Sequence, residues 1–285
     1  MPDRPRLRIA VPNKGSLSEG AAAILTEAGY RQRSDGKELV LYDERNNVEF
    51  YYLRPRDIAV YVGEGTLDLG ITGRDMLVDS GVTATEVLGL GFGVSRFRFA
   101  APAGELGSIE ELAGKRLATS YPGLVAQYLH ARGIDARMIK LDGAVEVSIR
   151  LGVADAIADV VETGTSLRKA GLEVFGDPIL ESEAILIRRN GEPPAGLDLL
   201  VRRIDGVLTA RSYVMVDYDI PSDRVDEAFR VTPGKESPTV SPLAKDGWVA
   251  VRAMVPSEQA QLVMDDLWEV GARAILVTDI AACRL

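Results

Sequence analysis

Through its first two thirds, the chain repeats one pattern of apolar and polar positions. Short apolar runs such as Leu7–Val11 are followed by a polar turn and then by an amphipathic stretch. This pattern is typical of β-turn-α units, in which the apolar run is a buried strand. Such strands are predicted at Leu7–Val11, Val48–Leu53, Leu67–Thr72, Arg116–Thr119, Ala136–Leu141 and Ile185–Arg188. The alternation predicts a mostly parallel sheet with helices on both faces and all strand-to-helix turns at one edge.

The pattern also divides the chain. A second lobe is predicted to begin near residues 97–102, and Ile185–Arg188 is expected to return to the first lobe. A capped helix is predicted at Ser108–Leu112 and a further helix at Ala144–Leu151. From Ser212 onward the order of elements becomes βαββαβ, which is typical of a ferredoxin-like unit.

The most informative segment is the apolar run that ends at Asp159 and continues through Glu162 into Thr163-Gly164-Thr165-Ser166-Leu167. It is read as a buried strand, a tight turn and the start of a helix. Three hydroxyls and the backbone N–H groups around the glycine would face one point, which suits a phosphate. The acidic residues before the turn suit ribose hydroxyls or hydrated Mg²⁺. Together they indicate a phosphorylated pentose, and the alternative is an ordinary βα turn with Ser/Thr capping.

Other turns are expected at the same edge. Lys14 and Gly15 follow the first strand, and the lysine is either a cation for a polyphosphate or a surface residue. Arg54 follows another apolar strand and precedes a proline, so it is a candidate phosphate ligand. The adjacent Arg56 and Asp57 are either ligands or part of a solvated turn.

Three further residues keep two interpretations each. Asp75 either binds a ligand or caps a helix. Tyr121 either stacks on a purine or packs at the edge of its lobe. Glu146 either reaches the ribose or Mg²⁺, or is surface charge.

Composition narrows the function classes. The formal net charge of the 285 residues is −9, which argues against a nucleic-acid partner bound by a broad basic face. The chain has one histidine, which excludes multi-histidine metal chemistry, and one cysteine, which excludes an intrachain disulfide. A reducing cytoplasm fits this usage best. Neither a signal peptide nor a membrane-spanning apolar stretch is expected.

Four segments of the chain match the sequence pattern of a known family. They are Val11-Pro12-Asn13-Lys14-Gly15-Ser16-Leu17, Leu69-Gly70-Ile71-Thr72-Gly73-Arg74-Asp75, residues 151–159, and Glu162-Thr163-Gly164-Thr165-Ser166-Leu167. The chain resembles the ATP phosphoribosyltransferase family in its long, self-regulated form. One departure is Ser166, where the family pattern Thr-Gly-x-Thr-Leu has threonine, and the hydroxyl is kept.

The resemblance implies an α/β fold with a core of two lobes like a type II periplasmic binding protein, and a C-terminal ferredoxin-like, ACT-like regulatory domain. The implied bounds are residues 1–97 with 185–211 for the first catalytic lobe, 98–184 for the second, and 212–285 for the regulatory domain. The implied reaction is that of ATP with phosphoribosyl pyrophosphate (PRPP), the committed step of histidine biosynthesis. Similar enzymes need Mg²⁺, are inhibited by histidine and AMP, and form dimers to hexamers.

The resemblance also assigns candidate residues. The PRPP side would be formed by Glu146, Asp159, Glu162, Thr163, Gly164, Thr165, Ser166 and Leu167. The ATP and pyrophosphate side would be formed by Lys14, Gly15, Arg54, Asp75 and Tyr121. The histidine pocket of similar proteins, between ACT-like domains, matches Asp219, Ser237, Thr239 and Ala274. No residue is assigned as a catalytic base or a side-chain metal ligand, and Mg²⁺ is expected to arrive on PRPP, near Asp159.

Three rival interpretations remain. A two-lobed small-molecule binding protein with a sensor domain fits the same alternation of elements. The effector domain of a transcription regulator would require a basic recognition helix, which the sequence does not show. A phosphoribosyltransferase of the common class would carry two adjacent acids before the Thr-Gly turn, whereas here Asp159 is followed by two valines.

Overall fold

The structure, a computed structural model, describes residues 6–161 and 164–284. By compactness the chain divides into two units. The first extends to Leu197 apart from residues 27–29, and the second comprises residues 27–29 and the chain from Asp198 onward. No helix among the described residues is long and apolar enough to cross a membrane.

The first unit contains two sheets. We call the part around the first sheet lobe I and the part around the second sheet lobe II. The elements of lobe I up to residue 89 are β1 (Leu7–Pro12), α1 (Ser16–Glu27), β2 (Val40–Asp43), β3 (Val48–Leu53), α2 (Pro55–Gly63), β4 (Leu69–Gly73), α3 (Arg74–Ser80) and β5 (Thr85–Gly89). The elements of lobe II are β6 (Ser95–Pro102), β7 (Arg116–Thr119), α4 (Pro122–His130), β8 (Arg137–Lys140), α5 (Val147–Arg150), β9 (Ala156–Val161), α6 (Thr165–Lys169) and β10 (Leu172–Ser182). Strand β11 (Ala184–Arg188) then returns to lobe I.

Both sheets are mixed: most described strands of each run in one direction, as expected, but antiparallel strands lie between or beside them. In lobe I, with strand order β2-β3-β1-β4-β11-β5, only β3, β1 and β4 form parallel pairs. Strand β11 arrives from lobe II and enters the sheet antiparallel to both β4 and β5. In lobe II, with order β10-β6-β9-β7-β8, strands β7, β8 and β9 are parallel, and β6 runs antiparallel to both of its neighbours, β9 and β10. In each parallel pair, the chain between the two strands contains at least one helix, as the sequence pattern indicates.

Two predicted helices are shorter than expected. The first is only a 3-10 turn at Glu110–Leu112, and the second is the four-residue helix α5. Each segment anchors one apolar side chain in the core, Leu112 or Val145. That anchoring positions the loop without requiring a long helix.

The second unit contains α7 (Leu197–Ser212), β12 (Tyr213–Pro221), α8 (Val225–Val231), β13 (Thr239–Pro242), β14 (Trp248–Pro256), α9 (Ala260–Val270) and β15 (Arg273–Asp279). Its antiparallel sheet has the order β13-β14-β12-β15, which confirms the ferredoxin-like prediction. In β12, side chains alternate between buried and half-buried, and Val214, Val216 and Tyr218 enter the core.

Candidate active site in the first unit

The carboxyl ends of the three parallel strands of lobe I bring several predicted residues to one edge. Pro12 and Leu53 are paired in register, and the Asn13 N–H donates to the Leu53 carbonyl at 2.8 Å. Lys14 and Arg54 therefore follow neighbouring strand ends, and both are exposed. Ligands of α/β proteins bind at such an edge. The two cations are positioned to meet an anionic ligand there.

Asp75 lies in the first turn of α3, at the end of β4, and is 6% exposed. Its N–H donates to Ser182 Oγ, and the Ser182 hydroxyl donates to Asp75 Oδ1, both at 3.0 Å. Ser182 therefore satisfies one of the unpaired N–H groups at the start of α3. Ser182 carries no signal in the sequence, because it lies 107 residues from Asp75 along the chain.

Tyr121 immediately precedes α4 and is 8% exposed. Its ring packs edge-on against Phe97 at 5.1 Å, and the Arg56 guanidinium lies 4.2 Å from the ring centroid. Burial, followed by the negative charge of Asp75, raises the pKa of Tyr121 well above its usual range. The phenol is therefore a neutral hydrogen-bonding group. Arg56, which sequence analysis left as an alternative, lies at the site.

Asp159 lies on β9 and is half-buried. Burial raises the pKa of its carboxyl group, and the neighbouring Glu146 charge raises it further, while the Val160 N–H and Arg56 lower it. Tyr121 is close enough for the Asp159 charge to raise its pKa as well. The structure thus brings Arg56, Tyr121, Glu146 and Asp159 together.

A second acidic residue of the same run, Asp155, has a different role. It accepts hydrogen bonds from the Arg116 backbone N–H at 2.8 Å and from the Arg116 guanidinium at 2.7 and 3.2 Å. These contacts lower the pKa of Asp155 to about 2. Asp155 precedes β9, at the end of the strand opposite the turn, so this ion pair joins β7 to β9 and does not form part of the site.

The predicted strand and helix on either side of the phosphate turn are present as β9 and α6. Glu162 and Thr163 lie outside the described residues. Gly164 precedes α6 with φ +68°, Thr165 and Ser166 are exposed, and Leu167 is buried in the core of lobe II. Because α6 has only five residues, its dipole is small, and hydroxyls, backbone N–H groups and nearby cations must supply most of the attraction.

Arg168 supplies a cation that the sequence analysis overlooked. Its guanidinium lies 3.5 Å from Thr165 Oγ1. The signal was present as the first basic residue after the turn.

Arg98 was also overlooked. It lies directly opposite Asp159 in the β6–β9 pair, so the two side chains share one face of the sheet. Its Nη2 donates to the Gly176 carbonyl at 2.6 Å, and its buried Nε has no hydrogen-bond partner among the described residues. The sequence signal was an arginine between Phe97 and Phe99 in an apolar strand. On the lobe I side, Asn13 Oδ1 is likewise buried without a partner, next to Lys14.

The four candidates for histidine binding lie in the second unit. Asp219 pairs with Arg273, next to Ala274, which has φ +50° at an irregularity between β12 and β15. Thr239 is on β13, at the opposite edge of the sheet, and Ser237 precedes it; both are exposed. Within one chain the structure therefore places two candidates at each edge and does not bring all four together.

Two α/β lobes with cations and carboxylates at their strand ends, and an attached ferredoxin-like unit, define a class: a two-lobed α/β protein with a candidate site for an anionic ligand. The comparisons with known proteins agree. Residues 54–206 match the family described as HisG, ATP phosphoribosyltransferase, and residues 210–282 match the HisG C-terminal domain.

Individual relatives are similar over nearly the whole chain. The ATP phosphoribosyltransferase of Pseudarthrobacter chlorophenolicus is 63% identical over 283 residues, covering 98% of this chain and 100% of that protein. That of Streptomyces coelicolor is 61% identical over 284 residues with the same coverage. A solved structure, the ATP phosphoribosyl transferase (HisG:HisZ) complex from Thermotoga maritima, is 25% identical with a TM-score of 0.58, covering 70% of this chain and 98% of that chain.

The chain belongs to the ATP phosphoribosyltransferase family. The family carries out the first step of histidine biosynthesis, and the alternative of a two-lobed binding protein is not favoured.

Proposed function

We propose that the protein transfers the phosphoribosyl group of PRPP to N1 of ATP. The bond between C1 of the ribose and the pyrophosphate oxygen breaks, and pyrophosphate leaves with the bonding electrons. The lone pair of adenine N1 forms the new bond to C1. The observation that carries this proposal is the cluster of Arg56, Tyr121, Glu146 and Asp159, with Asp75 beside it.

On the PRPP side, the backbone of Gly164 and the exposed hydroxyls of Thr165 and Ser166 receive the 5-phosphate, and Leu167 anchors the turn in the core. Arg168 adds a positive charge beside Thr165. The proposal keeps Glu162 and Thr163 on the strength of the sequence pattern alone.

Asp159 and Glu146 bind the ribose hydroxyls. A carboxylate near C1 also stabilises the positive charge that develops on the ring as pyrophosphate leaves. Burial and the Glu146 charge raise the pKa of Asp159, so its carboxylate gains from the positive charge that develops on the ribose.

On the ATP side, Lys14, Gly15 and Arg54 meet the phosphates at the edge of the lobe I sheet. Gly15 has φ +77° and nothing lies near the position of a Cβ atom, so its backbone is open to a ligand. Tyr121 and Asp75 contact the adenosine part, with the phenol as a neutral donor. Holding the two substrates in line across the site supplies much of the rate.

The proposal includes Mg²⁺ bound to the pyrophosphate of PRPP. The carboxylates of Asp159 and Glu146 are hard oxygen donors and fit such an ion. When bound, Mg²⁺ would stabilise the charge of the leaving pyrophosphate.

Regulation and location belong to the same proposal. We assign residues 1–97 with 185–211 and 98–184 to catalytic lobes and residues 212–285 to a regulatory domain. Histidine binds between two such domains, so that Asp219 and Ala274 of one copy face Ser237 and Thr239 of another, in a dimer or hexamer. AMP competes on the ATP side, and the enzyme works in the cytoplasm.

The test is a product assay with purified protein, ATP, PRPP and Mg²⁺, following the absorbance of phosphoribosyl-ATP and the release of pyrophosphate. Both products should form in equal amounts, and histidine should reduce the rate. Lys14→Ala and Arg54→Ala should each lower kcat/KM at least tenfold, since ~1.4 kcal/mol is one decade and a charge-assisted contact is worth more. The exposed Lys37→Ala is the matched control. A wild type that binds ATP but forms neither product would refute the proposal.

A further inference from the structure

One carboxylate of lobe I binds the start of a helix in lobe II. Asp79, in the last turn of α3, accepts hydrogen bonds from the backbone N–H groups of Gly123 at 2.8 Å and Leu124 at 3.2 Å. Its side chain is 13% exposed. Tyr121, which immediately precedes α4, provides no side-chain acceptor for these N–H groups. Asp79 therefore caps α4 from the other lobe.

The position of Asp79 on its own helix supports this assignment. A negative charge in the last turn of a helix is unfavourable, because the carbonyl groups there already form the negative end of the dipole. The same charge is favourable at the start of the nine-residue helix α4. The electrostatic benefit of Asp79 thus arises in lobe II.

Asp79 also connects to the candidate active site. Its second oxygen, Oδ2, accepts a hydrogen bond from the Arg56 guanidinium at 3.1 Å, and that guanidinium lies over the Tyr121 ring. Asp75 lies four residues earlier on α3, hence on the same helix face, and its charge acts on Tyr121. Side chains on one face of α3 therefore contact both Tyr121 and α4, the helix that begins directly after it.

The backbones of α3 and α4 lie close together at Gly123. A Cβ atom at Gly123 would collide with the carbonyl oxygen of Asp79. Glycine is therefore needed at that position for α3 and α4 to approach as they do.

We propose that Asp79 is a positioning residue that fixes lobe II against lobe I, so that Tyr121 and Arg56 are aligned for the adenine nucleotide. This inference rests on the proposed function. Binding of the nucleotide uses residues of both lobes and depends on this alignment. Binding of PRPP uses β9 and the turn before α6, both in lobe II, and does not depend on it.

The experiment compares Asp79→Ala with Asp79→Asn and Gly123→Ala. Asp79→Ala should lower kcat/KM for ATP at least tenfold while the Kd for PRPP, measured by calorimetry, stays within twofold. Asp79→Asn keeps an oxygen for the two N–H groups but turns an NH2 group toward Arg56, so its kcat/KM should lie between that of Asp79→Ala and that of the wild type. Gly123→Ala should reproduce the loss without removing a polar atom. Exposed Glu64→Ala, on the same lobe, is the control.

The outcomes separate the two hypotheses. An inactive wild type refutes the proposed function. With an active wild type, Asp79→Ala within threefold of it overturns the positioning role. The positioning role is also overturned if, in both Asp79 variants, the affinity for PRPP falls as much as the affinity for ATP. That result would show a general structural defect. Amide hydrogen exchange at Gly123 and Leu124 should become faster in Asp79→Ala, and unchanged exchange would contradict the capping contact.

Discussion

Replacing Ser182 by alanine tests how the buried Asp75 is held in place. In the wild type, the Ser182 hydroxyl accepts from the Asp75 N–H and donates to Asp75 Oδ1, and both residues are buried. The substitution removes both contacts at once and leaves a methyl group that fills most of the same space.

The expected cost follows from these two contacts. A buried N–H without a partner costs about 1–3 kcal/mol, and a hydrogen bond to a charged group is worth about 1.5–3 kcal/mol. Because small shifts of α3 recover part of this, we expect a loss of about 3 kcal/mol in the free energy of unfolding. For a domain of this size, each kcal/mol lowers Tm by about 2–4 °C, which gives a fall of about 6–12 °C.

The assay is differential scanning calorimetry of wild type and variant at pH 7.5, with steady-state kinetics on the same samples. Ser80→Ala is the matched control. Its hydroxyl also makes two hydrogen bonds at the end of α3, to the Leu77 carbonyl and from the Val82 N–H, but the residue is half-buried and water can replace it. The control should lose less than about 1 kcal/mol. If Ser182→Ala lost no more than Ser80→Ala, the Ser182 contacts would not be what stabilises the buried carboxylate.

Two further outcomes are expected. Asp155→Asn should lower stability at neutral pH and flatten the acid unfolding curve between about pH 4 and pH 2. The reason is that the lowered pKa of Asp155 contributes stability above its unfolded value, and this stability is lost as pH falls through about 2. An unchanged acid transition would contradict this. Gly164→Ala should raise the KM for PRPP, because φ +68° costs about 1–2 kcal/mol with a side chain although nothing lies closer than 3.7 Å to the added Cβ. Gly133→Ala, at φ +69° on the same lobe, carries the same backbone cost away from the site, and an equal KM in both variants would remove the turn from the PRPP site.

The sequence predicts the local units of the fold well. Strands β1, β3, β4 and β7 and the turns after them follow from short apolar runs with polar, glycine-containing ends. Strand β10 was not predicted, because Gly176 and Pro178 interrupt its alternation where its pairing with β6 shifts register between Phe175 and Leu180. Whether a strand pairs parallel or antiparallel depends on where the chain returns, which no local pattern encodes.

The same distinction applies to the candidate site. Lys14, Arg54 and Tyr121 could be proposed because each stands on a turn after a strand. Ser182 and Asp79 could not, because their partners are distant in sequence, 107 and 44 residues away. Contacts between residues this far apart in sequence depend on how the two lobes pack, which the local sequence pattern does not encode.

The path of β11 affects how the first unit is assembled during synthesis. This strand lies between β4 and β5 in the lobe I sheet, and β5 has no other neighbour in the part of the chain that the structure describes. A ribosome must therefore complete all of lobe II before the last strands of lobe I can pair. A nascent chain that ends before Ala184 leaves the β4 edge open to pairing with other chains. Lobe II can form from a continuous stretch, whereas lobe I must wait for a distant segment, and this raises the contact order and slows folding. Chaperones that bind open sheet edges would find their substrate in that interval.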